Sequence, residues 1–312
     1  MSGKLTNQMG RTKERELVDN THPPYLNTNT SMPSDLHRSD LIVGAGVFGV
    51  STALHLIRKY PESTVTLVDR AFPYQAAASW DWNKVVRADY PSILYMEKAL
   101  EAMEIWRTDP LYRQFYHESG LIWVDGRGFA RTVIENYERL GANEKVRIAS
   151  PAEVRTLYSG IFANAELEDC AEIVINESSG WVEASKCLEA AIATAAHEGV
   201  RCIEADVFTL ELDNTGSCIG VWSKGGKFIT ADRVILASGA QTTKLLVNSL
   251  PSRAELYDRD RLVAAAICTG MVKLNAEEAE KFKAGPVFLH ATGNSQGGFV
   301  HSLRIEFAQT NS

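Results

Sequence analysis

The chain is predicted to be an α/β protein built on a parallel sheet, on the strength of three neighbouring stretches. Leu41-Ile42-Val43 is a short β-rich run that enters glycines at 44, 46 and 49. Val50 to Ile57 follows as an apolar run of helical character, and Val65-Thr66-Leu67-Val68-Asp69 reads as a second buried strand beyond the break at Tyr60-Pro61-Glu62-Ser63. Strand, helix and strand in about thirty residues make a β-α-β unit, and such a crossover places its two strands side by side and parallel.

Length and composition fit that class and exclude others. The 312 residues suffice for two domains, and 45% hydrophobic and 23% charged residues with 22 Gly and 10 Pro are ordinary for a globular chain. The 32 basic and 39 acidic residues leave a net charge of −7, and no block of Lys or Arg is long enough to follow a phosphate backbone, so no nucleic-acid partner is expected. Cysteines at 170, 187, 202, 218 and 268 contain no Cys-x-x-Cys pair, which fits a reducing compartment rather than a disulfide framework. The seven histidines lack metal-ligand spacing, so no metal is expected, and no Gly-x-Ser-x-Gly elbow suggests a hydrolase. The longest apolar stretch, Leu41 to Ile57, is interrupted by glycines and polar residues, so no membrane span is read. Neither a secretory signal nor a peroxisomal address is recognised at the two ends, which makes the cytoplasm the default location.

Along the chain, residues 1–38 are poor in apolar residues and rich in Asn, Ser and Thr, and are expected to form a disordered tail. Helices are predicted at Ser92 to Trp106 and Ala184 to His197. Strands are predicted at Arg201 to Ala205, Phe208 to Leu212 and Cys218 to Ser223, with a hairpin turn at Gly225-Gly226. A buried strand beginning at Asp232 ends in the small residues Ala237-Ser238-Gly239-Ala240.

The glycines carry the first functional reading. In Gly44-Ala45-Gly46-Val47-Phe48-Gly49, Gly44 permits a tight turn, Gly46 lets the backbone approach a pyrophosphate, and Gly49 lets the helix pack on the sheet. The helix N-terminus offers free N–H groups and partial positive charge to the phosphates, and Asp69, at the end of the second strand, can accept from a ribose diol. The fingerprint alone does not separate NAD from FAD. Arg70 is compatible with a partner for a 2′-phosphate, with a solvated residue and with one lying over the adenine.

Together with three further stretches the fingerprint resembles the FAD-dependent D-amino-acid-oxidase-like superfamily, in the branch of monomeric sarcosine oxidase, fructosyl amino acid oxidase (amadoriase) and saccharopine oxidase. These stretches are Ala78-Ser79-Trp80-Asp81-Trp82-Asn83-Lys84-Val85-Val86-Arg87; Ala99 to Gly120, with Trp106, Asp109-Pro110-Leu111 and Phe115-Tyr116-His117; and Ser179-Gly180-Trp181 through the following helix to Ala237-Ser238-Gly239-Ala240. The resemblance implies a discontinuous flavoprotein: a Rossmann-like FAD-binding domain at 39–90 and 151–245, and a second, α+β substrate domain inserted into it, incomplete, at 91–150 and 246–312. It implies FAD, bound noncovalently, and oxidation of the C–N bond of a secondary amine or amino acid to an imine, with dioxygen as acceptor and peroxide as product.

Residue by residue, the resemblance puts Ser79 on a loop beside the flavin, Lys84 at the family's basic position near the ring, and Arg87 where relatives hold a substrate carboxylate. Val207 stands where a backbone reads adenine, and Ala237 and Gly239 belong to the second FAD segment. Relatives continue beyond the equivalent of Gly297 to Glu306 with a dioxygen-activating basic residue, for which Arg304 is a poor stand-in, so the chain resembles a truncated member. A monomer is expected. An FAD-linked dehydrogenase with another acceptor, or an inactive FAD-binding fragment, are the rival readings.

Overall fold

The computed structural model describes residues 38–125, 128–167, 172–256, 262, 264 and 270–291. The expected tail, apart from Arg38, lies outside them, as do Cys170, Cys268 and Arg304.

The chain opens with strand β1 (Ser39–Val43), helix α1 (Val47–Lys59) and strand β2 (Thr64–Asp69). A middle stretch follows: β3 (Lys84–Val86), α2 (Ile93–Thr108), β4 (Tyr116–His117), β5 (Leu121–Asp125), α3 (Phe129–Leu140), β6 (Val146–Ala149), α4 (Pro151–Thr156), β7 (Ile173–Asn176) and β8 (Gly180–Val182). Beyond it lie α5 (Ala184–His197), β9 (Arg201–Glu204), β10 (Val207–Leu212), β11 (Cys218–Ser223), β12 (Phe228–Thr230), β13 (Arg233–Leu236) and α6 (Thr242–Ser249). The last described elements are α7 (Ala276–Phe282) and β14 (Val287–Ala291).

The predicted β-α-β unit is present: β1 and β2 pair in parallel, with Ser39 opposite Thr64 and Val43 opposite Val68. Parallel pairing of β13 with β1 and of β9 with β2 extends this to a four-stranded sheet, β13-β1-β2-β9. Both faces are covered, which explains why β1 and β2 read as continuous apolar runs. Ile42 and Leu67 face α1 and α5, packing with Val50, Leu54, Leu188 and Ala195, while Leu41, Val43 and Val68 face Val221, Ile229 and Leu245. Leu41, Ile42, Leu54 and Leu67 are fully buried, and each such side chain contributes about 1.5–3 kcal/mol. The strand expected to be buried near 232 is half-buried instead, because β13 has β1 on one side and no partner among the described residues on the other.

The second face is covered by the antiparallel β10-β11-β12 sheet, whose hairpin turns at the predicted glycines, Gly226 having φ +75°. A second four-stranded sheet, β14-β5-β7-β6, mixes parallel (β14 with β5) and antiparallel pairing. Since β7 pairs with β5 and β6, residues up to Asn176 belong with this second sheet. A small antiparallel sheet, β3-β8-β4, joins the Lys84 segment to the Gly180 segment. The Cβ that a larger residue would bring to Gly180 falls 1.9 Å from the His117 carbonyl oxygen, so close strand approach requires glycine there.

Candidate functional site

A cavity of about 1210 Å³ opens at the carboxyl ends of β1, β2 and β13 and runs along α2 and β3. Ligands of parallel α/β sheets bind at this edge, and the volume exceeds the roughly 300–1,000 Å³ of a drug-sized pocket. Gly44, Gly46, Val47, Phe48, Asp69, Arg70, Ser79, Lys84, Arg87, Val207, Ala237 and Gly239 all line it. Ala45 and Gly49, also singled out from the sequence, do not line it, and both shape it from behind.

The glycines separate by physical role. Gly44 has φ +109°, and a Cβ there would lie 2.4 Å from the Ala237 carbonyl oxygen, so the turn between β1 and α1 needs both the conformation and the space. A Cβ on Gly49 would lie 1.7 Å from the Gly44 carbonyl oxygen, so this residue sets how closely α1 seats on the turn. Gly46 has an ordinary φ of −74°, and the atoms a Cβ would meet belong to the Ser79 side chain, Oγ at 3.1 Å. Only the space toward the cavity gives a reason for glycine at 46.

At the start of α1 the Val47 N–H donates to Ser79 Oγ at 2.9 Å, and the N–H groups of Phe48 and Gly49 have no partner within the helix. The Phe48 side chain is 80% exposed. Asp69 accepts from the Ala45 N–H (2.7 Å) through one oxygen and from the Arg70 N–H (2.7 Å) through the other, which fixes the carboxylate against the glycine turn. A carboxylate has about four acceptor sites, so it can still accept from a diol. Arg70 lies flat on Tyr74, with its guanidinium carbon 3.7 Å from the ring centroid. These residues fit a dinucleotide: open N–H donors for a diphosphate, a floor without a Cβ at Gly46, and an acceptor at the end of β2.

The opposite end is built from side chains. Lys84, on β3, is half exposed and forms an ion pair with Asp81 at 2.7 Å. Arg87 is held between two aromatic faces, its guanidinium carbon 4.2 Å from the ring centroid of Tyr90 and 4.2 Å from that of Trp123. One of its N–H groups donates to the Asp89 main-chain carbonyl, and no carboxylate bonds it among the described residues. Burial pulls its pKa below the ordinary value, while the nearby Tyr90 and Asp89 charges act the other way.

Charge at the cavity runs against the chain as a whole. Arg70, Lys84, Arg87, Lys98, Lys224 and Lys244 line it against Asp69 and Asp206, although the chain carries −7. This basic lining was not legible from net charge, because it gathers residues from five separate segments. The sequence reading also missed Tyr90 and Trp123, whose role depends on a fold that brings β5 to the 87–90 turn. Trp80 and Trp82, which flank Asp81, do not line the cavity: Trp80 packs on the α1–α5 core and Trp82 is exposed. Among the described residues no group of three His, Cys, Asp or Glu is placed to hold a metal, and no helix is long and apolar enough to cross a membrane.

Comparison with known proteins adds three findings. The family described as DAO, FAD dependent oxidoreductase, matches residues 41–300. An L-saccharopine oxidase of Schizosaccharomyces pombe is 28% identical over 269 residues, covering 81% of this chain and 60% of the relative, and an amino acid oxidase of Aspergillus fumigatus is 26% identical over 285 residues, covering 78% and 55%. The chain therefore spans a little more than half the length of these curated relatives. In fold it is similar to a modified fructosyl peptide oxidase from Aspergillus nidulans in complex with FSA, with a TM-score of 0.65 and 23% identity, covering 81% of this chain and 60% of that one.

Proposed function

The chain belongs to the DAO family of FAD dependent oxidoreductases, and from that premise we propose that it binds FAD in the cavity and oxidises the C–N bond of an amine or amino acid that carries a carboxylate. The observation that carries this reading is the pairing, in one cavity, of an open helix N-terminus above the Gly44–Gly49 turn with a guanidinium that has no carboxylate partner among the described residues.

The Phe48 N–H at the helix start would hold the diphosphate, Asp69 the ribose diol, and the β10 backbone near Val207 the adenine end, with Ala237 and Gly239 closing the same wall. When bound, FAD supplies the acceptor for the hydride equivalent that leaves the carbon next to nitrogen. Arg87 orients the substrate: its planar fork can take a carboxylate through two parallel N–H···O bonds, and its aromatic clamp fixes the plane of that fork. Lys84 adds positive charge to the same wall. Dioxygen is the proposed acceptor of electrons, with peroxide and an imine as products. The test is a colorimetric peroxide assay on FAD-loaded protein over a panel of secondary amines with and without a carboxylate. Peroxide from the carboxylate-bearing amines supports the reading; reduction of an artificial acceptor without peroxide points to the dehydrogenase instead.

A further inference from the structure

Behind Arg87 lies a polar knot that the substrate reading leaves unused. Asp89 is 0% exposed, and its carboxylate makes no ion pair among the described residues. It accepts from neutral donors only: Asn176 Nδ2 (2.9 Å) and the Tyr137 hydroxyl (3.3 Å) on one oxygen, and the Ser179 hydroxyl (3.2 Å) on the other. Asn176 ties the knot together, donating also to the Tyr137 oxygen at 3.1 Å and accepting from the Ser178 N–H at 2.9 Å. Burying a carboxylate without an ion pair is costly: burial raises its pKa, against the hydrogen bond of Asn176, the nearby Arg87 charge and the hydrogen bonds of Ser179 and Tyr137.

The knot draws together α3, the end of β7 and the turn before β8, and what it grips is the turn that carries Arg87. The Arg87 guanidinium folds back onto the Asp89 carbonyl. The neighbouring Asn136, also on α3, donates to the carbonyls of Tyr90 (3.1 Å) and Pro91 (2.9 Å). Trp123, the other half of the aromatic clamp, sits on β5 opposite Val174 of β7. Both the clamp and the carbonyl that aim Arg87 are thus referenced to the same sheet and helix.

We propose that Asp89 is a positioning residue for Arg87: held by Asn176, Tyr137 and Ser179, it fixes the 87–91 turn so that the guanidinium meets a substrate carboxylate in one orientation. This rests on the reading of Arg87 as the carboxylate anchor. The test uses the full chain loaded with FAD, titrated with acetate and with its neutral counterpart acetamide, and followed by tryptophan fluorescence, for which Trp123 beneath Arg87 is the reporter. Arg87→Lys tests the anchor. Ser179→Ala, which removes one donor with little change of volume, tests the knot and avoids the misfolding risk of Asp89→Ala. Asp89→Asn is the conservative control, since its amide can donate to a rotated Ser179 hydroxyl while its oxygen keeps the other two donors.

The expected result is that Ser179→Ala weakens acetate binding by roughly three- to tenfold, the size of one net hydrogen bond. FAD content stays unchanged, Asp89→Asn stays near wild type, and Ser179→Ala has no further effect in the Arg87→Lys background. Unchanged acetate affinity in Arg87→Lys overturns the anchor itself. A loss in Arg87→Lys with no loss in Ser179→Ala, or with equal and additive losses, overturns the positioning role and leaves the anchor standing. A fall in Tm without a change in acetate affinity also overturns it, because a merely structural knot would behave in that way.

Discussion

At the α1 end of the cavity the main chain makes the surface, whereas at the Arg87 end side chains of β3, α2 and the turn between them make it, braced from behind by β5, α3 and β7. Backbone surface needs glycine at fixed spacing and little else, so a single six-residue window, Gly44 to Gly49, specifies it. Side-chain surface is specified by tertiary contacts: Asp89, Tyr137 and Asn176 lie 48 and 87 positions apart along the chain and meet only after β7 pairs with β5. The first end suits a ligand whose diphosphate is common to many proteins, and the second a ligand whose identity has to be discriminated.

The largest effect is expected where the backbone end is filled. Gly49→Ala places a Cβ 1.7 Å from the Gly44 carbonyl oxygen, so α1 must lift from the turn, at a cost of about 3 kcal/mol or more. Thermal unfolding should show a large fall in Tm. Gly46→Val has ordinary backbone angles and should fold, yet it projects two methyl groups toward the cavity floor, and FAD affinity should drop by at least tenfold, for about 1–3 kcal/mol of overpacking. Gly225→Val, in a hairpin where a Cβ would meet the Ser223 Oγ at 3.8 Å, is the matched control and should retain FAD. Retention of FAD by Gly46→Val would erase the distinction between the two ends.

At the side-chain end Arg87→Lys keeps the charge and loses the fork. The loss of one charge-assisted hydrogen bond, about 1.5–3 kcal/mol, should raise KM for a carboxylate-bearing substrate by roughly 10- to 150-fold. An amine without a carboxylate should be nearly indifferent. Equal losses on both substrates would mean that Arg87 holds the loop and not the ligand.

The comparison also shows what was legible beforehand. Strands at 41–43 and 65–69, the helix at 184–197 and the hairpin near 225 follow from local periodicity and turn residues, and the structure has them all. The 121–176 region was not read as a sheet: β5, β6 and β7 are short, Ile173–Asn176 is buried along its whole length with no alternation to mark it, and the mixed pairing has no sequence signature. Asp69 was read as a ribose acceptor from its position alone, but its two backbone hydrogen bonds to the glycine turn come from the fold. Arg87 was found through resemblance, whereas its clamp of Tyr90 and Trp123 becomes visible in the structure.

Acid should act on the carboxyls that the fold holds in their charged form. Burial pushes the Glu144 carboxyl up, but the hydrogen bonds of Arg107 and Ser178 and the Arg107 charge outweigh it and hold the group below its ordinary value of 4.5. Glu183 is likewise lowered, burial being outweighed by Lys186 and His117. A carboxyl with a lowered folded pKa contributes stability above its unfolded value and loses it as pH falls through the folded one. The Tm should therefore decline below about pH 4.5. Glu144→Gln should lower the Tm at neutral pH and make the decline shallower, and an unaltered slope would remove Glu144 from the account.

The smallest effect is expected at Arg70. Stacked on Tyr74 and at the surface of the cavity, it contributes about 0.5–1 kcal/mol through a cation–π contact. Arg70→Gln should then lower the Tm only slightly and leave FAD bound. Tight binding of NADPH by the unmodified protein, abolished by this substitution, would reassign Arg70 to a 2′-phosphate and the cavity to a different dinucleotide.

The central claim is that one cavity holds FAD on a backbone cradle and a carboxylate on Arg87, and the visible absorption spectrum of the purified, FAD-supplemented chain tests it most directly. The account predicts one bound FAD per chain, with a flavin band that shifts as a small carboxylate is added and does not shift with the matching amide. A chain that stays colourless after supplementation, or a flavin band that responds equally to both, would contradict it.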